Sequence, residues 1–348
     1  MKQTINAGII GAGRIGRAHA ANLVYRLPEV NLVAIADVVA EAAEKLAGEL
    51  GLPAAYQDPR RILDDPQIDA VLICSSTDTH ARFIEEAAQA GKQIFCEKPI
   101  ALDLAEIDHA LAAVERAGVR LQIGFNRRFD PSFARVRQAV AAGEIGEPHL
   151  LRITSRDPAP PPLAYVQVSG GIFLDMTIHD FDMARFLMGR EVEAVYAAGS
   201  VLVDPAIGQA GDVDTAVVTL HFAGGALGVI DNSRRAVYGY DQRVEVFGSG
   251  GVVSADNAYP NTVQIGDAQR VHRDLPLNFF MERYTESYVN ELRAFVRCIM
   301  DDTPPPVSGL DGRLAVVMGY AARRSLVEGR PVRLDEIAPA QSISLERI

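Results

Sequence analysis

A lysine, an aspartate and a histidine in this 348-residue sequence have the side-chain types needed to oxidise an alcohol. Asp175 and His179 are four residues apart, so a helix places both on the same side. A histidine titrates near neutral pH and therefore suits removal of a hydroxyl proton. Asp175 can orient that imidazole or bind a neighbouring substrate hydroxyl. Lys98 can donate to the reacting oxygen and stabilise the developing alkoxide.

Each of these residues also has a structural interpretation. An isolated lysine at the end of a strand is usually solvated. Asp175 can be a helix cap, and His179 can be a hydrogen-bonded histidine of the core. No third ligand stands at helical spacing from this pair in a recognised pattern, so we expect no metal site.

A glycine-rich segment, Gly11-Ala12-Gly13-Arg14-Ile15-Gly16, follows the first predicted strand and opens a helix. The glycines at 11, 13 and 16 suit a tight turn, close approach of the backbone to a pyrophosphate, and close helix–strand packing. The amides of this segment, including those of Arg14 and Ile15, then face the phosphates. The alternative is a glycine turn in an α/β sheet without a nucleotide.

Asp37 ends the second predicted strand, 21 residues beyond Gly16. Its carboxylate can bind the ribose hydroxyls and would repel a 2′-phosphate, so the pattern favours NAD over NADP. Ser75, Ser76, Thr77 and His80 follow a later strand, where small hydroxyl side chains permit close approach of a cofactor. A helix cap explains the same hydroxyl residues.

Alternating apolar strands and amphipathic helices in the first third of the chain predict a doubly wound parallel sheet. The predicted strands are Ala7–Ile10, Leu32–Ala36, Ala70–Cys74, Gln93–Cys96 and Leu121–Gly124, and the predicted helices are Arg17–Tyr25, Val39–Glu49, His80–Ala90 and Leu104–Ala117. This NAD-binding Rossmann domain is predicted to span residues 1–124.

Residues 125–348 have a different pattern, with glycine pairs between alternating strands that indicate antiparallel hairpins. We expect a substrate-binding and oligomerisation domain with a large, mostly antiparallel open sheet, and a C-terminal helix after 309 that packs back between the domains. The predicted strands are Thr215–Phe222, Ala226–Ile230, Arg243–Phe247 and Val252–Ala255, and the predicted helices are Thr177–Met188, Tyr284–Met300 and Arg313–Val327.

Composition excludes several classes of function. The formal net charge is −11, without basic clusters, which disfavours nucleic acids and anionic membrane surfaces. No apolar run approaches the length of a membrane span, and no signal peptide precedes the first strand. The three cysteines, two of them in apolar strands, suit a reduced cytoplasmic protein.

Three motifs together resemble the glucose–fructose oxidoreductase/inositol dehydrogenase/MocA family: the glycine segment at 11–17, Glu97-Lys98-Pro99-Ile100-Ala101, and Asp175 with His179. The resemblance covers essentially the whole chain. Within the family, the segments 124–130, 154–162 and 178–186 are most similar to the inositol 2-dehydrogenase branch.

The resemblance implies a Rossmann domain followed by an α/β domain whose open sheet packs in a homotetramer. It implies oxidation of myo-inositol, a cyclic polyol, at C2 with NAD to 2-keto-myo-inositol. Lys98, Asp175 and His179 take the positions of the family's catalytic residues, and Glu97 and Lys98 also lie at the cofactor. Further substrate contacts are implied for Asn126, Arg127, Asp157 and either Tyr238 or Tyr240. Leu174 stands where the resemblance suggests an arginine, which bears on the preferred polyol.

Two other functions remain open. The nearest is an NAD-dependent dehydrogenase of scyllo-inositol, an aldose or a related cyclic polyol. The second is a nicotinamide-binding sensor without turnover, which we would expect to have lost Lys98 or His179. Arg127 has two equally weighted interpretations, a substrate contact or a structural salt bridge.

Overall fold

The structure is a computed structural model that describes residues 4–338. It divides them into two units, the first made of residues 4–126 and 286–316 and the second of residues 127–285 and 317–338. The C-terminal helical segments are therefore shared between the units. None of the described helices combines the length and apolar character needed to span a bilayer.

The first unit contains a six-stranded parallel sheet with helices in its crossovers. Its elements are β1 (Ile5–Ile10), α1 (Arg14–Arg26), β2 (Val30–Ala36), α2 (Ala40–Leu50), β3 (Ala54–Tyr56), α3 (Arg60–Leu63), β4 (Ala70–Ile73), α4 (His80–Gln89), β5 (Gln93–Cys96), α5 (Leu104–Ala117) and β6 (Leu121–Ile123). The strand order is β3-β2-β1-β4-β5-β6, so the connections reverse direction between β1 and β4. Open α/β sheets bind their ligands at the carboxyl ends of strands at such a reversal.

The predicted fold class is confirmed in this unit, and the short strand β3 is an addition to the predicted set. β3 has no fully buried residue, so it lacks the apolar run that marks the other strands. The core beneath the sheet contains Ile9 and Ile35 from β1 and β2, Leu23 from α1, and Phe295 from the C-terminal segment. Burial of these side chains fixes α1 against the strands from which the glycine segment emerges.

The second unit contains a seven-stranded sheet. Its elements are α6 (Pro131–Ala141), β7 (Pro148–Arg156), α7 (Leu163–Val166), α8 (Gly171–Asp175), α9 (Thr177–Met188), β8 (Val192–Ser200), α10 (Pro205–Gln209), β9 (Thr215–Phe222), β10 (Leu227–Ser233), β11 (Asp241–Gly248), β12 (Gly251–Ala255), β13 (Gln264–Gly266), β14 (Val271–Arg273), α11 (Phe280–Arg283), α12 (Thr285–Met300), α13 (Gly309–Glu328) and β15 (Val332–Arg333). Of these elements, α12 belongs to the first unit except for Thr285, and α13 is divided, with residues 309–316 in the first unit and 317–328 in the second.

The order of this sheet is β12-β11-β7-β10-β9-β8-β15, and every pairing is antiparallel except that of β7 with β10. The prediction of a mostly antiparallel sheet is confirmed, including the hairpin at Gly224 and Gly225, which both have positive φ. The strands β7 and β8 were not predicted. A register shift between Val192 and Ala194 interrupts the alternation in β8, and the buried face of β7 ends on a polar residue, Ser155.

Candidate active site

Each of the three glycines in the segment after β1 suits its position for a different structural reason. Gly11 has φ of +108°, and a Cβ there would lie 2.5 Å from the carbonyl oxygen of Cys74. A Cβ on Gly16 would lie 1.9 Å from the carbonyl oxygen of Gly11, so α1 approaches the strand end too closely for any side chain. Gly13 is exposed, and a Cβ there would meet nothing within 4 Å. The open space at Gly13 is where a pyrophosphate can approach the backbone.

The surroundings of Gly13 fit a dinucleotide. Gly13 is the N-cap of α1 and no side chain caps the helix, so the amides of its first turn, including those of Arg14 and Ile15, are available to phosphate oxygens. Asp37 accepts a hydrogen bond from the amide of Ala12 (2.7 Å) and lies beside the glycine segment. Its carboxylate is half-buried, and a contact with the ribose hydroxyls remains a prediction.

The segment after β4 and the Lys98–Pro99 turn are joined by a buried histidine. His80 Nδ1 lies 2.8 Å from the carbonyl oxygen of Pro99, and Nε2 lies 3.0 Å from that of Ser75. Ser75 Oγ bonds Thr79 Oγ1 (2.7 Å), whereas Ser76 is exposed and Thr77 is half-buried. The Lys98–Pro99 peptide bond is cis. A direct contact of these side chains with a cofactor remains a prediction.

Glu97 belongs to a cluster that sequence reasoning missed. His19 Nε2 donates to Glu97 Oε1 (2.7 Å), and Glu291 Oε1 lies 3.9 Å from the same nitrogen. Burial, and then the charge of Glu97, raise the pKa of Glu291 well above its ordinary value, which favours the neutral form of this carboxyl group. The cluster anchors Glu97 beside the half-buried Lys98.

Asn126 ends the first unit and has an unused hydrogen-bond donor. It is buried, and its Nδ2 has no hydrogen-bond partner among residues 4–338. Because an unsatisfied buried donor costs free energy, a ligand that accepts from it is favoured. This observation supports the predicted role of Asn126 in substrate binding.

In the second unit, polar side chains occupy the core-facing positions at the carboxyl ends of β7 and β10. Ser155 and Asn232 pair in the parallel register, and Asp157 and Arg234 extend the same alternation one residue past each strand. We refer to these four residues as the polar edge. Ser155, Asn232 and Arg234 are fully buried. Because the two strands are parallel, their polar ends lie at the same side of the sheet.

Arg127 is engaged in a buried ion pair with Asp180. Its Nη1 donates to Asp180 Oδ1 (2.6 Å), and Asn232 Nδ2 donates to Asp180 Oδ2 (2.8 Å). Thr177 donates in turn to Asn232 Oδ1 (2.6 Å), which fixes the start of α9 on the polar edge. The charge of Arg127 is therefore compensated within the protein, which favours its structural interpretation, and a direct substrate contact stays a prediction.

Asp175 and His179 lie in two consecutive helices, with Met176 between α8 and α9. Tyr165 donates to Asp175 Oδ1 (2.9 Å), and Arg234 Nη1 donates to Asp175 Oδ2 (3.2 Å). Both carboxylate oxygens are thus held in place. His179 is half-buried in the first turn of α9, four residues from Asp175 as the sequence requires.

Asp157 has a shifted pKa. Part of the residue is accessible, but the surrounding protein desolvates its carboxylate and raises the pKa to about 6. Arg234 and Arg127 lower this pKa, whereas Asp175 and Asp180 raise it. A carboxylate with these neighbours is suited to accept hydrogen bonds from hydroxyl groups near neutral pH.

The two tyrosines proposed for the pocket differ in their surroundings. Tyr238 donates to Asp241 Oδ2 (2.5 Å) and accepts from Arg156 Nη1 (3.0 Å). Tyr240 is buried, and its hydroxyl lies 3.4 Å from Arg127 Nη2. The contacts associate Tyr240, rather than Tyr238, with the cluster around Arg127.

Leu174 packs in the core of the second unit. It is buried, and its Cδ2 lies 2.4 Å from where a Cβ on Gly319 of α13 would be placed. The guanidinium next to Asp175 comes instead from Arg234, which sequence reasoning missed together with Asp180 and Tyr165. The signal was available for Arg234, since period-two alternation places it on the same face as Ile230 and Asn232.

The parallel sheet, the glycine segment and Asp37 define a dinucleotide-binding oxidoreductase domain, and comparison with known proteins gives its family. Residues 5–125 match the profile of the "Oxidoreductase family, NAD-binding Rossmann fold", and residues 133–254 match the "GFO/IDH/MocA C-terminal domain". The chain belongs to the GFO/IDH/MocA family and is an NAD-dependent oxidoreductase.

Individual relatives agree over nearly the full length. The chain is 56% identical over 330 residues to myo-inositol 2-dehydrogenase from Thermotoga maritima, covering 95% of this chain and 98% of the relative. A myo-inositol dehydrogenase structure from Corynebacterium glutamicum matches with a TM-score of 0.91 and 41% identity, covering 95% and 99% of the two chains. A scyllo-inositol dehydrogenase from Lactobacillus casei, solved with NAD(H) and scyllo-inositol, matches with a TM-score of 0.89 and 31% identity, covering 95% and 99%.

The glycine geometry predicts separate effects for two substitutions. Gly13→Ala should keep the fold but fill the space for the pyrophosphate, so the Kd for NADH should rise by about tenfold or more while Tm stays within about 2 °C. Gly16→Ala should lower the stability by about 1–3 kcal/mol or more, because its Cβ overlaps the Gly11 carbonyl. Calorimetric titration measures the Kd for NADH, and thermal melts measure the stability of each variant.

Gly48→Ala in α2 is the control for these variants, since a Cβ there meets nothing within 4 Å. It should bind NADH as the unmodified protein does. Unchanged NADH affinity in Gly13→Ala would remove Gly13 from the phosphate site.

Proposed function

We propose that this protein oxidises myo-inositol at C2 to 2-keto-myo-inositol with NAD. The observation that carries the proposal is the 56% identity to a myo-inositol 2-dehydrogenase over 95% of this chain. Lys98, Asp175 and His179 are all present, so the side chains required for alcohol oxidation are retained.

NAD, when bound, accepts the hydride that leaves the polyol carbon. His179 accepts the proton of the reacting hydroxyl, a role suited to an imidazole. Lys98 donates a hydrogen bond to the same oxygen and stabilises its developing charge. Asp175, held by Tyr165 and Arg234, binds a neighbouring hydroxyl or orients the imidazole. Asn126 and Asp157 bind further hydroxyls.

Charge supports a neutral substrate. The carboxylates of Asp157, Asp175, Asp180 and Asp212 outnumber the two guanidinium groups, Arg127 and Arg234, that lie among them. A phosphorylated or carboxylated sugar would be repelled by this excess, whereas hydroxyl groups can donate to it. A polyol with several free hydroxyls fits the arrangement.

A second candidate substrate is scyllo-inositol, the epimer of myo-inositol at C2. The relative from Lactobacillus casei is named for that substrate and was solved with it bound. An aldose or another cyclic polyol belongs to the same alternative. The greater identity to the myo-inositol enzyme favours myo-inositol for this chain.

Asp37 favours NAD as the cofactor, because its carboxylate would repel the 2′-phosphate of NADP.

Apolar side chains are exposed on the face of the second sheet opposite the polar edge, among them Tyr196, Val217, Leu227 and Phe247, and this supports a homotetramer formed through that face. The three buried free cysteines suit the cytoplasm.

A polyol panel tests the substrate. With NAD at alkaline pH, kcat/KM for myo-inositol should exceed the values for scyllo-inositol and glucose, as the identity to a myo-inositol enzyme indicates. It should also exceed the value for myo-inositol phosphate, because the excess of carboxylates would repel the phosphate. NADH formation at 340 nm measures each rate. A much larger kcat/KM for scyllo-inositol or glucose would contradict the proposed substrate.

Lys98→Ala and His179→Ala test the assigned roles. Each should lower kcat by about 10²–10⁴-fold, because each removes a group that acts on the reacting hydroxyl, and each should leave the affinity for NADH nearly intact. Steady-state kinetics and calorimetric titration measure the two effects. Lys45→Ala and His109→Ala, at exposed positions, are the matched controls. Loss of NADH affinity comparable to the loss of kcat would show that the roles are wrongly assigned.

A further inference from the structure

Arg234 is a buried arginine at the carboxyl end of β10. Its side chain is 1% exposed, and its main-chain amide donates to the carbonyl oxygen of Asp214 (2.8 Å). Nη1 donates to Asp175 Oδ2 (3.2 Å), and Nη2 lies 3.9 Å from Asp212 Oδ2. One guanidinium therefore lies against two carboxylates that come from different segments.

A third carboxylate, that of Asp157, interacts electrostatically with the same guanidinium. The amide of Asp157 donates to the carbonyl oxygen of Ser233 (2.9 Å), and the amide of Ala236 donates to that of Asp157 (2.6 Å). These bonds fix the main chain of Asp157 beside the segment that carries Arg234. Asp180 pairs with Arg127, whereas Arg234 lies among the carboxylates of Asp157, Asp175 and Asp212 and balances part of their charge.

The hydrogen bonding of Arg234 is incomplete. Nε and Nη2 are buried and have no hydrogen-bond partner among residues 4–338. These two nitrogens form one edge of the guanidinium. In Arg313 the same edge binds the carboxylate of Asp108 through two parallel hydrogen bonds. Unsatisfied buried donors cost free energy, so Arg234 is poorly explained by stability alone.

We propose that Arg234 is the positioning residue of the substrate site: its guanidinium holds the carboxylate of Asp175 in place and balances the charges of Asp157 and Asp212. The inference rests on the proposed function, which assigns Asp175 and Asp157 to the polyol. Arg234 acts through these carboxylates. Without it, three carboxylates would repel one another, and Asp175 Oδ2 would lose the hydrogen bond from Arg234.

The charge of Arg234 has a consequence for pH dependence. The charged groups that act on Asp157 are Arg234, Asp175, Arg127 and Asp180, and the buried Tyr240 interacts with it as well. Burial raises the pKa of Asp157 to about 6, and the two arginines lower it. Removal of Arg234 therefore raises the pKa of Asp157 further. If the ionised form of Asp157 binds the polyol, the acid limb of kcat/KM moves to higher pH.

Arg234→Gln and Arg234→Lys test the inference on the full-length enzyme, with Arg235→Gln as the matched control at the neighbouring exposed position. In Arg234→Gln, kcat for myo-inositol should fall about 100-fold, because Asp175 loses its orientation, while the Kd for NADH changes less than about twofold. The acid limb of kcat/KM should move to higher pH. Arg234→Lys retains the charge and should recover a large part of the loss and the unmodified acid limb. Arg235→Gln should match the unmodified enzyme.

Arg234→Gln/Asp212→Asn removes one charge of each sign and serves if the single variant does not fold. Because the net charge of the site is then unchanged, its acid limb should lie closer to that of the unmodified enzyme than the acid limb of Arg234→Gln does. If Arg234→Gln does not fold, the acid limb of the double variant should lie close to that of Arg234→Lys. Unchanged kcat and pH profile in a folded Arg234→Gln would overturn the inference. Equal losses in the Gln and Lys variants with an unmoved acid limb would also overturn it, since only a structural role would remain.

The two failures are distinguishable. If the unmodified enzyme oxidises no polyol of the panel, the proposed function fails and this inference fails with it. If the unmodified enzyme is active and the Arg234 variants behave as the Arg235 control does, only this inference fails.

Discussion

Compensation of buried charge is the constraint on which the polar edge of the second sheet depends. A carboxylate removed from water needs a cation or several donors, because an unpaired buried charge is strongly disfavoured. Asp180 has Arg127 and Asn232, and Asp175 has Arg234 and Tyr165. Burial raises the pKa of Asp157 to about 6, and the two arginines of these pairs lower it. A site that binds hydroxyls through carboxylates requires this balance.

The single parallel pairing in the second sheet makes this arrangement geometrically available. β7 and β10 run in the same direction, so the segments that follow them begin side by side, with Asp157 next to Arg234. An antiparallel pairing would have placed the end of one strand beside the start of the other. The first unit uses the same principle at β1 and β4, where Gly11 and the segment after Cys74 come within van der Waals contact. Each unit thus concentrates its polar groups at the carboxyl ends of parallel strands.

The sequence predicted the parallel sheet of the first unit, apart from β3, because local rules apply there. Continuous apolar strands, a glycine segment and a carboxylate at a fixed distance identify a Rossmann domain without knowledge of long-range contacts. The polar edge is different, because its partners are set by strand register. The pairing of Arg127 with Asp180 joins residues 53 positions apart, and that of Arg234 with Asp175 joins residues 59 positions apart. The sequence could therefore indicate Arg127 but could not decide between a substrate contact and a structural salt bridge for it. Arg234 was not predicted.

The proposed reaction requires that a polyol carbon loses hydride to NAD while a side chain of this protein takes the hydroxyl proton. Myo-inositol carrying deuterium at C2 tests this transfer, with the products analysed by nuclear magnetic resonance. Hydride transfer from C2 should give a primary isotope effect on kcat/KM, a ketone at C2, and the deuterium recovered in the reduced nicotinamide. A ketone at another carbon, or deuterium released to water, would contradict it.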